Sequence, residues 1–241
     1  MNKENIIEIF SSIQGEGKYV GCRQIFIRLA DCNLKCKYCD TNFKPPQYCE
    51  VKTADNLLYN TIDNPVSVES VVKAVKHIMS SEPIHSISFT GGEPLMHADF
   101  IKALSSEINV KIFLETNGTL YDELKRIIDC IDIISMDIKL PSATNVDLFD
   151  KHYQFMQTAK TKDLYTKIVI SGETLRDEFV SAVNTIAKVS KDILLILQPV
   201  TPTNGVKAVS IKDMLHFQEL ALKYLRDVRI IPQTHKMLNV I

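Results

Sequence analysis

Short β-branched apolar runs alternate along the chain with longer segments in which apolar residues recur at helical spacing. The apolar runs predict eight strands, at residues 6–10, 24–30, 86–89, 111–114, 131–136, 165–170, 193–197 and 228–231. Single apolar stripes predict amphipathic helices at residues 66–79, 174–189 and 211–225, and weaker patterns predict helices at 99–107 and 121–128. Ser210 and Asp213 are typical of an N-terminal helix cap.

This order of strands and helices favours a mostly parallel sheet with helical crossovers. Roughly six strand–helix units are too few for a closed eight-unit barrel, so we expect an α/β fold with a partial, open TIM-like barrel. A functional site should then lie at the C-terminal ends of the strands. We expect one domain over residues 1–241, with an insertion of polar, turn-like character at about 47–64.

Charge and hydropathy narrow the possible partners and location. The chain has 28 basic and 29 acidic residues and a net charge of −1, which argues against a nucleic-acid partner. Its apolar runs are too short to span a bilayer, and the first residues do not resemble a signal peptide. We therefore expect a cytoplasmic protein with no membrane partner.

The strongest chemical signal is a cluster of three cysteines, Cys32, Cys36 and Cys39, directly after a predicted strand. Three thiolates at C-x3-C-x2-C spacing can hold three irons of a 4Fe-4S cluster and leave the fourth iron open to a ligand. A structural zinc site or a redox C-x2-C pair is the alternative. Zinc would require a fourth ligand, for which only Cys49 is near, and a redox pair would give Cys32 no role.

A second motif, Thr90-Gly91-Gly92-Glu93-Pro94, follows the predicted strand 86–89. A glycine pair can bring the backbone close to a ligand, or it can simply make a tight turn. Together with the cysteine loop, the motif resembles the radical S-adenosylmethionine (SAM) enzymes. The resemblance implies that the open iron binds SAM, that reductive cleavage of SAM yields a 5′-deoxyadenosyl radical, and that the Gly91–Glu93 backbone meets the SAM amino group. Since SAM carries the radical, no catalytic side chain is assigned.

Arg28 lies on a strand whose two faces differ. Ile25, Ile27 and Leu29 share one face, whereas Phe26 and Arg28 share the other. An arginine on the inner face of an apolar strand needs an anionic partner. That partner could be a ligand carboxylate or a carboxylate of the protein itself.

The turn Gln14-Gly15-Glu16-Gly17 and the segment Phe26-x-Arg28-x-Ala30-x-Cys32-Asn33-Leu34-x-Cys36-x-Tyr38-Cys39-Asp40-Thr41 sharpen this resemblance. They are similar to the 7-carboxy-7-deazaguanine synthase family, which acts in the biosynthesis of queuosine, a tRNA modification, and other 7-deazapurines. The resemblance implies a lyase that converts 6-carboxy-5,6,7,8-tetrahydropterin to 7-carboxy-7-deazaguanine. The reaction would begin with loss of the C6 hydrogen, contract a ring and release ammonia.

The resemblance also implies three sets of ligand contacts and a magnesium ion. The pterin substrate would contact Ile13, Gln14, Gly15, Glu16, Arg28, Thr90 and His235. SAM would contact Gly91, Gly92, Glu93, Ser135, Asp137, Lys139 and Gln198, although Met136-Asp137-Ile138 departs from the proline-rich segment of many members. Thr41 would bind Mg²⁺, with Asp40 as a second candidate, while Cys32, Cys36 and Cys39 would bind the 4Fe-4S cluster.

The implied partners are an electron donor such as flavodoxin or ferredoxin and a second copy of the chain in a homodimer. A glycyl-radical-enzyme activase, or another radical SAM enzyme, is the alternative built on the same cysteine and glycine motifs. From other classes, an iron–sulfur electron carrier or sensor and a zinc-binding interaction module remain open. The missing fourth thiolate argues against the carrier.

Overall fold

A ten-stranded sheet forms the centre of the protein, as seen in a computed structural model that describes residues 3–53, 57–238 and 240. The strands are β1 Lys3–Glu4, β2 Ile6–Ile13, β3 Arg23–Leu29, β4 Tyr48–Lys52, β5 Leu58–Asp63, β6 Val66–Ser67, β7 Ser86–Gly91, β8 Ile112–Thr116, β9 Ile133–Asp137, β10 Asp163–Ile170, β11 Leu194–Pro199 and β12 Val228–Ile230. The helices are α1 Val68–Met79, α2 Ala98–Ser105, α3 Tyr121–Ile127, α4 Pro141–Thr144, α5 Phe149–Ala159, α6 Arg176–Val189, α7 Ile211–Ala221 and α8 Thr234–Leu238.

The sheet has the order β12-β11-β10-β9-β8-β7-β3-β2-β4-β5, and β1 pairs separately with β6. The run from β3 through β7 to β12 is parallel, whereas β2 is antiparallel to β3. In the described ranges the two edges, β12 and β5, do not pair with each other. The predicted α/β class with an open partial barrel is confirmed.

All eight predicted strands and all five predicted helices are present, with ends shifted by a few residues. Ser210 caps α7 by accepting a hydrogen bond from the backbone N of Asp213 at 3.1 Å. The sequence did not predict α5, whose weak apolar stripe includes the buried His152. The 47–64 segment, expected only as an insertion, contributes the β4–β5 hairpin and extends the sheet beyond β2.

The two faces of the barrel strands have different environments. Ile25, Ile27 and Leu29 of β3 are fully buried in the core between sheet and helices, while Phe26 and Arg28 face the inside of the barrel, as predicted. None of the helices in residues 3–53 and 57–238 is long and apolar enough to cross a membrane.

An aromatic plug fills the barrel at the N-terminal ends of its strands. It consists of Tyr19, from the β2–β3 connection, packed with Phe113, Ile133, Tyr165, Leu194 and Ile196. The Tyr19 ring meets Phe113 edge-on at 5.9 Å between centroids, and its hydroxyl donates to Asp163 at the start of β10. The plug closes this end of the barrel, so the interior is open at the other end, where the strands finish.

Candidate active site

A cavity of about 560 Å³ lies at the C-terminal ends of the parallel strands. Its wall includes the sequence-predicted residues Ile13, Gln14, Gly15, Glu16, Arg28, Cys32, Cys36, Cys39, Asp40, Thr41, Thr90, Gly91, Gly92, Ser135, Asp137, Lys139, Gln198 and His235. Glu93 is the one predicted site residue outside this wall. The fold therefore gathers residues from most of the chain around one cavity, while their individual roles remain predictions.

The cysteine loop forms one side of the cavity. Cys32, Cys36 and Cys39 are all partly exposed thiols, and Cys39 N donates to Cys36 O at 3.1 Å. Burial raises the pKa of the Cys32 and Cys36 thiols. Within the described residues, three or more His, Cys, Asp or Glu side chains nowhere converge on a single-ion position. A cubane cluster accepts each thiolate on a separate iron, so three spaced thiols fit it.

Gly92 lets the glycine turn rest directly on the cysteine loop. A Cβ at this position would overlap the backbone carbonyl oxygen of Asp31. The two segments are joined there by hydrogen bonds from Gly92 N to Leu29 O, at 3.1 Å, and from Glu93 N to Asp31 O, at 2.9 Å. Any side chain larger than hydrogen would push the residue before Cys32 away from β7.

The Glu93 side chain points away from the cavity and joins the ends of two strands. Its Oε1 accepts from Thr116 Oγ1 at 2.8 Å and from Leu95 N at 3.1 Å, and its Oε2 accepts from Asn117 N at 2.7 Å. The residue is fully buried, and burial raises the pKa of its carboxyl. Glu93 therefore fixes the β7 and β8 ends with its side chain, while its backbone N donates to Asp31 O and its backbone O accepts from Met96 N.

Four charged side chains of alternating sign line the inner wall. Glu16 pairs with Lys167, Lys167 Nζ lies 3.4 Å from Asp137 Oδ1, and Asp137 Oδ2 accepts from Lys139 Nζ at 2.8 Å. Burial alone would raise the pKa of the two carboxyls and lower that of the two ammonium groups. The neighbouring opposite charges outweigh burial, so both carboxyl pKa values are lowered and both lysine pKa values are raised. Lys167 was not predicted from the sequence, because a lysine within a strand gives no periodic signal.

Glu115 is a second residue that sequence reasoning missed. Its Oε1 accepts from Gln14 Nε2 at 2.8 Å and its Oε2 accepts from Thr90 Oγ1 at 2.9 Å, so it joins two predicted substrate residues. It also lines the cavity. The signal was available, because Glu115 immediately precedes the Thr116-Asn117-Gly118 turn at a predicted strand end.

Arg28 lies on the cavity wall and already has a protein partner. Its Nε is 2.9 Å from Glu8 Oε1, and its guanidinium carbon is 5.3 Å from the centroid of the Phe10 ring. Glu8 Oε2 in turn pairs with Lys52 Nζ of β4 at 3.0 Å. The internal salt bridge considered from the sequence is thus present, but it uses the Nε side of the guanidinium.

The segment after β12 crosses the mouth of the cavity. His235 packs so closely on Gly15 that a Cβ there would overlap the imidazole ring. Thr234 N donates to Gly15 O at 2.8 Å, and Gln233 Nε2 donates to Glu16 Oε1 at 2.7 Å. Gln233 was not among the predicted residues, although it adjoins the predicted His235 in the same segment.

Two cavity-wall atoms are buried and lack a hydrogen-bond partner within the described part of the chain. They are Gln198 Oε1 and Asp137 Oδ1, the latter at ion-pair distance from Lys167 but without a hydrogen bond to it. Unsatisfied buried acceptors are rare in native proteins and call for a partner. Both belong to the predicted SAM contacts, and SAM carries hydroxyl and amino donors, so these acceptors fit it.

Comparisons with known proteins agree with this geometry. The Radical SAM superfamily matches residues 27–169. The chain is 43% identical over 239 residues to a 7-carboxy-7-deazaguanine synthase of Geobacter sulfurreducens, with 96% of each chain covered. It is 36% identical to the enzyme of the same name from Archaeoglobus fulgidus, with 99% of each covered.

Solved structures show the same fold. QueE from Escherichia coli aligns with a TM-score of 0.60 at 20% identity, covering 97% of this chain and 95% of that one. Streptococcus suis SuiB bound to S-adenosylmethionine aligns with a TM-score of 0.55 at 12% identity, covering 93% of this chain and 47% of that one. With three cysteines and a glycine turn on one cavity and full-length relatives of one name, this chain belongs to the 7-carboxy-7-deazaguanine synthase family of the radical SAM superfamily.

Proposed function

We propose that this chain converts 6-carboxy-5,6,7,8-tetrahydropterin to 7-carboxy-7-deazaguanine, with ring contraction and release of ammonia, in 7-deazapurine biosynthesis. The observation that carries the proposal is one cavity that contains both a three-cysteine loop and a polar, charged pocket. An electron carrier needs the three-cysteine loop but not the polar, charged pocket. An activase of a glycyl-radical enzyme acts on a protein backbone and would not need a pocket for a small pterin lined by Gln14, Glu16 and Arg28.

The residues divide the cavity into two halves. Cys32, Cys36 and Cys39 would hold the 4Fe-4S cluster, and Gly91, Gly92, Ser135, Asp137 and Gln198 would hold SAM beside it. When bound, these groups supply the one-electron chemistry that removes a hydrogen atom from the substrate. The protein itself binds and orients the ligands, and the plug closes the barrel behind the site.

The substrate half suits a pterin that carries a carboxylate. Arg28 offers the outer edge of its guanidinium to the substrate carboxylate, while Glu8 holds the inner edge at 2.9 Å. Glu16 would accept hydrogen bonds from the N–H edge of the pterin, since its lowered pKa keeps it ionised at neutral pH. Thr90, Gln14 and His235 complete the wall.

A magnesium ion beside the substrate carboxylate is part of the proposal. Thr41 and Asp40 lie on the cavity wall next to the cysteine loop and offer hard oxygen ligands. Asp40 is paired with Lys236 Nζ at 2.8 Å, so the ion would have to displace a lysine that is itself exposed. We therefore expect Thr41 and the substrate to dominate the binding of Mg²⁺, with Asp40 as the weaker ligand.

An acidic electron donor, such as a flavodoxin or ferredoxin, would dock beside the cysteine loop. Lys35, Lys37 and Lys44 are exposed on that loop and its continuation, close to the thiols that would bind the cluster. Positive charges there would steer an acidic partner toward the cluster. Charge reversal at Lys35 and Lys37 should slow reduction by the protein donor but not by dithionite, with Lys212→Glu on the exposed side of α7 as control.

We further propose that the chain is a single domain and forms a homodimer. One sheet runs from the β4–β5 hairpin to β12, which supports the single domain. Leu58 and Tyr59 are exposed apolar residues on the edge strand β5, where a second copy could cover them. Light scattering after gel filtration would give the mass of the assembly in solution.

Anaerobic turnover tests the function directly. The protein is reconstituted with iron and sulfide and mixed with SAM, dithionite, Mg²⁺ and the carboxylated tetrahydropterin, and the product is identified by mass. We expect product from wild type and from the control Cys130→Ala, whose thiol lies outside the cavity, and none from Cys36→Ala. Formation of 5′-deoxyadenosine without this product would show that the substrate is wrong. An intact cluster with neither compound would favour the electron carrier.

A further inference from the structure

Lys167 stands inside the barrel in the middle of β10, where a charged side chain is unusual. Its neighbours along the strand, Thr166 and Ile168, are fully buried, and Lys167 itself is only 5% exposed. It pairs in register with Asp137 on β9 and Ile196 on β11, in the middle of the parallel sheet. The side chain lines the cavity.

The ammonium group touches both halves of the site. It pairs with Glu16 Oε2 on the predicted substrate side and lies 3.4 Å from Asp137 Oδ1 on the predicted SAM side. The other oxygen of Glu16 accepts from Gln233 Nε2, and the other oxygen of Asp137 accepts from Lys139 Nζ. Lys167 is thus the link between two carboxylates that are each held from the far side by another residue.

A stability role alone does not account for this arrangement. A buried ion pair is often no more stabilising than apolar residues of the same volume, because desolvation offsets the attraction. The surrounding positions, Tyr165 and Val169, show that this strand can carry apolar or aromatic side chains toward the barrel interior. A buried charge that contacts both halves of the site is therefore better explained by a role in placing the ligands.

We propose that Lys167 is a positioning residue that holds Glu16 oriented toward the pterin and fixes it relative to Asp137. The pterin and SAM would then be held in a fixed relative position, with the reacting hydrogen of the substrate facing SAM. Lys167 itself does not touch reacting atoms in this scheme; it acts through Glu16. The inference rests on the proposed function, since it assigns the Glu16 side of the cavity to the substrate.

The test combines kinetics with binding. Lys167→Met removes the charge at similar length, Lys167→Arg keeps it, and Lys212→Met on the exposed side of α7 is the matched control. We expect Lys167→Met to raise the KM and the dissociation constant for the pterin by about 100-fold, the usual effect of leaving a buried charge unpaired. The ratio of 5′-deoxyadenosine to product should rise as well, because a misplaced substrate is not attacked. Lys167→Arg should recover most of the affinity.

A double-mutant cycle with Glu16→Gln separates positioning from general damage. If Lys167 acts through Glu16, the double variant Glu16→Gln/Lys167→Met should bind the pterin no more weakly than the worse single variant. Losses of affinity that multiply in the double variant would overturn the proposal. A Lys167→Met variant with wild-type affinity and a wild-type ratio of 5′-deoxyadenosine to product would overturn it as well. Should Lys167→Met fail to fold, Lys167→Gln gives the same comparison with a neutral hydrogen-bond donor.

Failure of this inference can be told from failure of the function. If wild type neither binds nor converts the pterin, the proposed function is wrong. If wild type converts it and the Lys167 variants do so equally well, only the positioning role is wrong. The perturbation of the reduced cluster's spectrum by SAM should be similar in Lys167→Arg and wild type, which confirms that the SAM half of the site is intact.

Discussion

Gln233 donates a hydrogen bond from Nε2 to Glu16 Oε1 at 2.7 Å, although 217 positions separate the two residues along the chain. Together with Lys167, it leaves both oxygens of Glu16 held by the protein. A carboxylate fixed at both oxygens cannot rotate freely, so the geometry offered to a ligand is set before the ligand arrives. Preorganisation of this kind reduces the entropy lost on binding.

Gln233→Ala should therefore weaken binding of the pterin. Loss of a hydrogen bond to a charged group corresponds to roughly a 10- to 100-fold increase in the dissociation constant. The affinity of the anaerobic, reconstituted protein for the pterin is the quantity to measure. Met237→Ala, in the short helix that follows Gln233 and with its side chain exposed, should bind like wild type, and an equal loss in both variants would contradict a specific role for Gln233.

Gly92→Ala should impair assembly of the cluster. The new methyl group would overlap the Asp31 carbonyl oxygen and displace the start of the cysteine loop. We expect the iron content after reconstitution to fall to less than about half of the wild-type value, because the displaced loop cannot keep all three thiols in place. Iron and sulfide analysis with the visible absorption spectrum gives the result.

Gly205→Ala is the comparison for that experiment. Gly205 has a φ of +78°, so alanine strains the backbone there, yet nothing lies within 4 Å of the added Cβ. This variant should lose about 1 kcal/mol of stability and still bind a full cluster. If both variants lose iron alike, general destabilisation by a glycine-to-alanine change, rather than the overlap at Asp31, is responsible.

Arg28→Lys should discriminate between substrates with and without a carboxylate. Lysine cannot hold Glu8 with one edge and a ligand carboxylate with the other, so we expect kcat/KM for the carboxylated pterin to fall about 100-fold. Inhibition by tetrahydropterin, which lacks the carboxylate, should change little. Arg23→Lys is the control, because Arg23 lies on the same strand and pairs with Glu82 outside the cavity. A similar loss toward both pterins would rule out carboxylate recognition by Arg28.

His152 should make the fold sensitive to acid. It is fully buried, and burial, together with the nearby Lys139, lowers the pKa of His152 from its usual 6.5 to about 4, although its hydrogen bond to Asn117 O opposes the shift. Between these values the unfolded chain binds a proton that the folded chain does not. The free energy of unfolding is therefore unaffected by His152 above pH 6.5. As the pH falls toward 4, protonation of the unfolded chain lowers the free energy of unfolding by about 3 kcal/mol.

The measurement is thermal unfolding of the metal-free protein between pH 7 and pH 4.5. His152→Leu should have a shallower pH dependence than wild type, whereas His216→Leu, at an exposed position of α7, should follow wild type. Parallel curves for wild type and His152→Leu would mean that other groups account for the acid sensitivity.

Much of the fold follows from local signals in the sequence. The β-branched runs and apolar stripes locate the strands and most helices, because those elements bury one face against a common core. Helix α5 was not predicted because its apolar residues are few and its buried face includes a histidine. The β4–β5 hairpin was not predicted because β5 is an exposed edge strand whose side chains do not alternate in polarity.

The site was predictable where residues occur in compact motifs. The cysteine loop, the glycine turn and the Gln14–Glu16 turn each give a recognisable pattern within a few residues. Glu115 and Gln233 adjoin such motifs but were not singled out, and Lys167 gave no pattern, because its importance comes from partners brought near only by the sheet order. A single charged residue within a strand has many possible partners until the neighbouring strand is known.

The aromatic plug around Tyr19 has a consequence for how ligands move through the enzyme. Since it closes the barrel at the start of the strands, both ligands and the product share the opening at the opposite end. With one shared opening, a ligand bound nearer the mouth would block the exit of a ligand bound deeper in the cavity. Product that lingers near the mouth would hold spent cofactor behind it, and turnover would slow as product accumulates.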